Sequence, residues 1–229
     1  MKRSKKYIAA TKSINNPANM GIEEAIELSK KLSYSKFTGS LEIIINYNIP
    51  LKFKNDVIRG SIVFPFQFGE SKKVAVLANP EDQKKAKGAD IVGEDDLIKE
   101  IEAGKINFDI LITTPDMMPK IAKLGKILGP RGIMPNPKNE TVTKDIERVV
   151  SSYKSGKVDY RINDQGSIKT IVGKLDQQSS ELKSNLLELL KITDNDTKKF
   201  GTNRYKSVYV CPTMGASIKL DMSKALKEI

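Results

Sequence analysis

Histidine is absent from this 229-residue sequence, and cysteine occurs once, at Cys211. The first absence removes the commonest general base and metal ligand, so Ser-His-Asp triads, Cys-His dyads and His-ligated zinc are excluded. The second leaves neither a CxxC site nor an internal disulfide framework, which fits a reducing compartment. Apolar runs are short: none approaches the ~20 residues of a membrane-spanning helix. The basic start MKRSKKYIAATKS also lacks the apolar stretch of a signal peptide. Phosphate-cradling glycines are missing too. The segment VAVLA is followed by NPEDQKK, with no glycine where GxGxxG belongs, and no GxxxxGK[ST] occurs. The expectation is a soluble protein that stays where it is made, with no metal, cofactor or membrane partner.

Positive charge is what the chain has in excess. Its 39 Lys and Arg stand against 28 Asp and Glu, a net charge of +11. Such an excess serves a polyanionic partner more often than it serves a fold, and nucleic acid is the foremost candidate.

The hydrophobic pattern changes period along the chain. After the basic arm of residues 2–12, a helix is expected over 21–32, where Ile22, Ala25, Ile26 and Leu32 share a face and Glu23 and Glu24 suit the first turn. LEIIINYN from Leu41 and GSIVFPF from Gly60 read as strands, with a mixed stretch at 50–59 between them. VAVLA from Val74 and DILITT from Asp109 are instead continuous apolar runs, typical of strands covered on both faces, with helical patterns at 81–87 and 94–102. A further helix is marked by Ile146, Val149, Val150 and Tyr153. The end of the chain returns to the opening pattern, with VDYRI, the turn NDQG, SIKTIVG, a helix carrying Leu182, Leu186, Leu189 and Leu190, then KSVYV and ASIKLD.

The fold class is therefore α/β. An α+β terminal domain is built from both chain ends, residues 1–67 and 156–229, and a Rossmann-like three-layer α/β/α domain is inserted at 68–155. Two separate α+β domains would give the same pattern.

One stretch stands out. KLGKILGPRGIMPNPK, residues 123–138, holds three glycines, three prolines and the cations Lys123, Lys126, Arg131 and Lys138, and no carboxylate. Glycines that admit positive φ and prolines that fix φ make a defined bend rather than a loose linker.

That stretch, extended to KLGKILGPRGIMPNPKNETVT, resembles the signature of the large-subunit ribosomal protein L-one family. YSKFTGSLEI, IRGSIVFP, GADIVG, FDILITTPDMM and SVYVCPTMGASIKLD follow in the family's order and spacing over almost the whole chain. The bacterial or organellar branch is the nearer likeness. The resemblance implies a non-catalytic, cytoplasmic ribosomal protein, monomeric off the ribosome. Its terminal domain would bind the ribosomal RNA of the mobile stalk beside the E site and assist the release of deacylated tRNA. Many bacterial members also repress translation by binding their own messenger RNA.

Carried onto this sequence, the resemblance assigns rRNA binding to Lys36, Phe37, Ser40 and Glu42 in one stretch and to Thr213, Met214 and Gly215 in another. Each residue type has a physical part in binding RNA. Lysine neutralises phosphate, an aromatic face packs on sugar or base, and hydroxyls bond the 2′-hydroxyl that marks RNA. Glu42 is tolerable only where it accepts from a 2′-hydroxyl or a base amino group, so it is expected to give specificity. Taken alone, Phe37 and Met214 read as packing residues and Glu42 as a solvated one; the family context reverses this. Weaker RNA-binding candidates are Lys5, Lys6, Arg59, Arg161, Lys169 and Arg131.

For residues 129–138 two readings stand side by side, a structural crossover with incidental charge and a direct RNA or tRNA contact. The chain departs from the family pattern at Ser40, where threonine is usual, in FQFGESK, where the family has HGTGK, and at Asp164, usually lysine. Against the ribosomal reading stand a general basic nucleic-acid coater and, with no phosphate loop to support it, a nucleotide-using enzyme on the inserted domain.

Overall fold

Strands whose apolar residues alternate build one part of the molecule, and strands that are apolar throughout build another. The computed structural model describes residues 4–12, 14, 20–50, 53, 58–69, 71–83, 86–163 and 165–226. Lys2 and Asp164, both noted in the sequence, lie outside these. The chain divides into two compact units, Met1–Gly69 with Tyr160–Ile229, and Glu70–Asp159.

In the first unit, β1 (Ser40–Tyr47) is central to an antiparallel sheet. It pairs on one side with β7 (Ser167–Lys174) and on the other with β8 (Tyr205–Pro212), and β9 (Ile218–Leu220) completes the order β7-β1-β8-β9. Leu41, Ile43, Ile45 and Tyr47 are buried while the residues between them are half-buried, the period of a strand covered on one face. The cover is α2 (Ile22–Leu32) and α8 (Ser179–Thr197), which bury Ile22, Ala25 and Ile26 and Leu182, Leu186, Leu189 and Leu190. The carboxylate of Glu24 accepts from the Gly21 N–H at 3.3 Å at the start of α2. Asn185 interrupts the leucine face of α8 with a purpose: its buried amide bonds the N–H and C=O of Phe66 at 3.0 and 2.8 Å and the Val172 C=O at 3.0 Å. The basic arm forms a helix, α1 (Lys5–Lys12), with no buried residue. A separate two-stranded sheet joins β2 (Arg59–Val63) to β6 (Lys157–Arg161).

The second unit holds a parallel sheet in the order β4-β3-β5, with β3 (Val74–Leu77) between β4 (Ile91–Gly93) and β5 (Ile110–Thr113). Every residue of β3 is buried, because helices cover both faces. Ala75, Leu77 and Leu111 pack with Leu97 and Ile101 of α4 (Asp95–Glu102), Ile121 of α5 (Met118–Ala122) and Leu128 of α6 (Gly125–Leu128). Val74, Val76 and Ile112 pack with Ile146, Val149, Val150 and Tyr153 of α7 (Ile146–Lys154). The expected α/β class and the covered parallel strands are therefore present. Two expectations need correcting. Of the helical pattern at 81–87, residues 81–83 lie in the short α3 (Pro80–Gln83), residues 84 and 85 lie outside the described residues, and 86 and 87 are not helical; the defined bend expected over 123–138 contains a short helix, α6. No helix among the described residues is long and apolar enough to cross a membrane.

Candidate nucleic-acid interface

The turn after β8 is forced by its residues. The Gly215 N–H bonds the Pro212 C=O at 2.8 Å, closing a four-residue turn in which Met214 takes φ 67. That is the positive φ required at the third position of a type II turn, unusual for a residue with a Cβ. Gly215 has no alternative, since a Cβ there would lie 2.3 Å from Pro212 Cγ. The turn therefore presents the Met214 side chain outward, 70% exposed.

Hydrogen bonds carry this turn to a segment 173 residues away. The Thr213 N–H donates to the Ser40 C=O at 2.8 Å, and the Thr213 hydroxyl accepts from the Ser40 N–H at 3.2 Å. The same oxygen lies 3.0 Å from the Ser40 C=O and 2.9 Å from Glu42 Oε1, so its one proton serves either acceptor. The Tyr34 hydroxyl donates to the Met214 C=O, tying down the loop that carries Lys36 and Phe37. Phe37 is 61% exposed, and its own C=O accepts from the Ser35 hydroxyl at 2.9 Å. Two large apolar side chains thus stand in solvent on a framework of fixed backbone, an arrangement no core requires.

The β1 and β7 pairing shifts register between Leu41 and Glu42, a bulge of the kind that re-aims a side chain beside a site. Glu42 lies on the sheet face away from the helices, opposite Cys211. Burial pushes the Cys211 thiol above its ordinary range, and the Glu42 carboxylate adds to the effect.

All seven residues of the two principal stretches, Lys36, Phe37, Ser40, Glu42, Thr213, Met214 and Gly215, are gathered here. Lys169 is exposed on the same sheet, on β7 opposite Ile44. Arg59 and Arg161 sit instead on the β2 and β6 ribbon, and Lys5 and Lys6 on the exposed α1. Tyr34 was not among the expected residues. It stands in the YSKFTG segment, but nothing in its spacing marks a hydroxyl that reaches Met214.

Arg131 belongs to the basic stretch of the second unit. There the apolar residues are held: Leu124 and Leu128 are buried in the core, and Ile133 and Met134 pack against it. The Gly129 N–H bonds the Gly125 C=O at 2.9 Å, an approach so close that a Cβ on Gly129 would lie 2.6 Å from that oxygen. Gly132 turns the chain at φ 73, and Asn136 accepts from the Lys138 N–H at 2.9 Å. Beyond it, the buried ammonium of Lys157 lies 2.7 Å from Glu140, holding that carboxyl below its usual range. Lys123, Lys126, Arg131 and Lys138 all point to solvent.

The profile of the ribosomal protein L1p/L10e family matches residues 29–216. The chain belongs to that family. The matched span of the L1p/L10e family takes in both halves of the interface, from before Tyr34 to one residue past Gly215, together with the whole second unit. It is a family of ribosomal proteins, not of enzymes. Relatives named large ribosomal subunit protein uL1 cover nearly the full length. That of Limosilactobacillus reuteri is 38% identical over 97% of this chain and 98% of its own. That of Lactobacillus johnsonii is 40% identical over 96% and 97%, and that of Borrelia recurrentis 40% over 96% and 98%.

Proposed function

We propose that this protein is a structural constituent of the large ribosomal subunit, acting in the cytoplasm on the ribosome and without catalysis. Its RNA-binding domain, residues 1–67 and 156–229, grips the ribosomal RNA of the mobile stalk beside the E site and assists the release of deacylated tRNA. The inserted domain, residues 68–155, offers the cations of 123–138 as a second RNA-facing surface. Off the ribosome the protein is a monomer that binds a similar fold in its own messenger RNA and represses translation.

The observation that carries this reading is the convergence of the Lys36 to Glu42 segment on the turn Thr213 to Gly215. An aromatic, a thioether, hydroxyls and one carboxylate presented together suit the sugar edge and unstacked bases of a folded RNA, which charge alone does not read.

A salt titration against two RNAs of equal length, a stalk fragment and a scrambled hairpin, tests it. Preference for the stalk by about 10³-fold or more at physiological salt is expected. The net charge of +11 favours a second reading, a general nucleic-acid coater, and equal affinities with parallel salt slopes would establish it instead.

A further inference from the structure

Among the described residues, α2 and α8 cover one face of the antiparallel sheet of the first unit. On its other face, one cross-strand row is unusual. Lys169 of β7 pairs with Ile44 of β1, Ile44 with Tyr209 of β8, and Tyr209 with Lys219 of β9. Ile44, Tyr209 and Lys219 alternate with buried neighbours, and Lys169 stands in register with Ile44 between buried Ile168 and half-buried Thr170, so all four side chains stand on the face away from the helices. Lys169 and Lys219 are exposed, and Ile44 and Tyr209 half-buried. A flat apolar and aromatic centre is thus flanked by a cation at each end. With strands about 4.8 Å apart, the lysines stand about 14 Å from each other.

The row is continuous with the interface described above. One step along β1 lies Glu42, whose β7 neighbour Ile171 is 40% exposed on the same face. The Glu42 carboxylate lies 2.9 Å from the Thr213 hydroxyl, toward the turn. The electrostatic balance of the row is positive, and its middle offers a ring.

From this placement we infer that the open sheet face is a platform for an unpaired nucleotide of the bound RNA. The base stacks on Tyr209 beside Ile44, and Lys169 and Lys219 hold the flanking phosphates. Single-stranded and looped RNA is read in this way, by base stacking on aromatic side chains along a positively charged track. The inference rests on the RNA-binding reading and extends it from the Phe37 and Met214 turn to four residues that turn does not contain.

The test uses the full chain and the same two RNAs, with circular dichroism confirming that each variant is folded. Tyr209→Ala is expected to weaken stalk binding about 5- to 100-fold, the range that loss of one base stack gives, and to leave the scrambled hairpin within about twofold. Tyr209→Phe, which keeps the ring, should bind as the parent does. Tyr209→Leu, which keeps apolar bulk without a flat face, should behave like Tyr209→Ala. The pair Lys169→Ala with Lys219→Ala should lower the salt slope by about 1.4, at ~0.7 for each single-strand phosphate released. If the parent shows no preference for the stalk, the ribosomal reading itself fails. If the parent prefers it and Tyr209→Ala binds equally well, the platform alone is overturned. Full binding by Tyr209→Leu would likewise overturn stacking.

Discussion

Two surfaces of this protein are built to be seen, and they are built differently. The turn at Thr213 to Gly215 is held by hydrogen bonds to Ser40, Glu42 and Tyr34, residues more than a hundred positions away, and displays mixed chemistry. The stretch 123–138 is held by its own leucines, isoleucines, methionine and glycines against a nearby core, and the charges it displays are all cations. Long-range bonds fix where an aromatic and a carboxylate stand relative to one another. Local packing fixes only that charge faces outward. The first surface is suited to telling one RNA shape from another, the second to holding any RNA.

The largest effect should come from breaking the first frame. Gly215→Val places a Cβ 2.3 Å from Pro212 Cγ, and the turn cannot hold both. Stalk affinity is expected to fall by about 10²-fold or more, as when a well-packed anchor is lost, with a fall of about 1 to 3 kcal/mol in unfolding free energy from overpacking against the Pro212 ring. Urea unfolding and the two-RNA titration measure both. Unchanged stalk binding would show that the turn is not part of the specific site.

Phe37→Ala and Met214→Ala leave the frame and remove what it displays. Each should cost about 10-fold on the stalk and under about twofold on the scrambled hairpin. Equal losses on both RNAs would reduce the first surface to the kind of the second.

The difference between the surfaces also explains how much the sequence revealed. Local information sufficed where structure is local: the apolar runs VAVLA and DILITT became the covered strands β3 and β5, and Ile146, Val149, Val150 and Tyr153 became the buried stripe of α7. β4, only three residues long, was too short to show a period. The site residues were assigned through likeness to a family, because no periodicity links Glu42 to Thr213; only the β1 and β8 pairing joins them. Tyr34 and Tyr209 escaped for the same reason. A hydroxyl that reaches Met214 and a ring in register with Ile44 are products of tertiary structure.

For the second surface, Lys123→Ala, Lys126→Ala and Arg131→Ala combined should weaken both RNAs equally and lower the salt slope by about 2 to 3. No change in slope would leave the stretch as a structural crossover with incidental charge.

The smallest effect is the most local. Cys211 is the chain's one thiol, half-buried beside Glu42, and both burial and that carboxylate raise its pKa. The folded state therefore holds the thiol proton more tightly than the unfolded chain. This favours folding below the ordinary thiol range, and the benefit is lost as pH rises through the raised value. Alkylation by iodoacetamide should accelerate at higher pH in the native protein than in urea, since only the thiolate reacts. Glu42→Gln should move the native profile part of the way back toward the unfolded one, because burial, the larger cause, remains. A profile unmoved by Glu42→Gln would mean that the carboxylate faces away from Cys211, and with it away from the row that carries Ile44 and Tyr209.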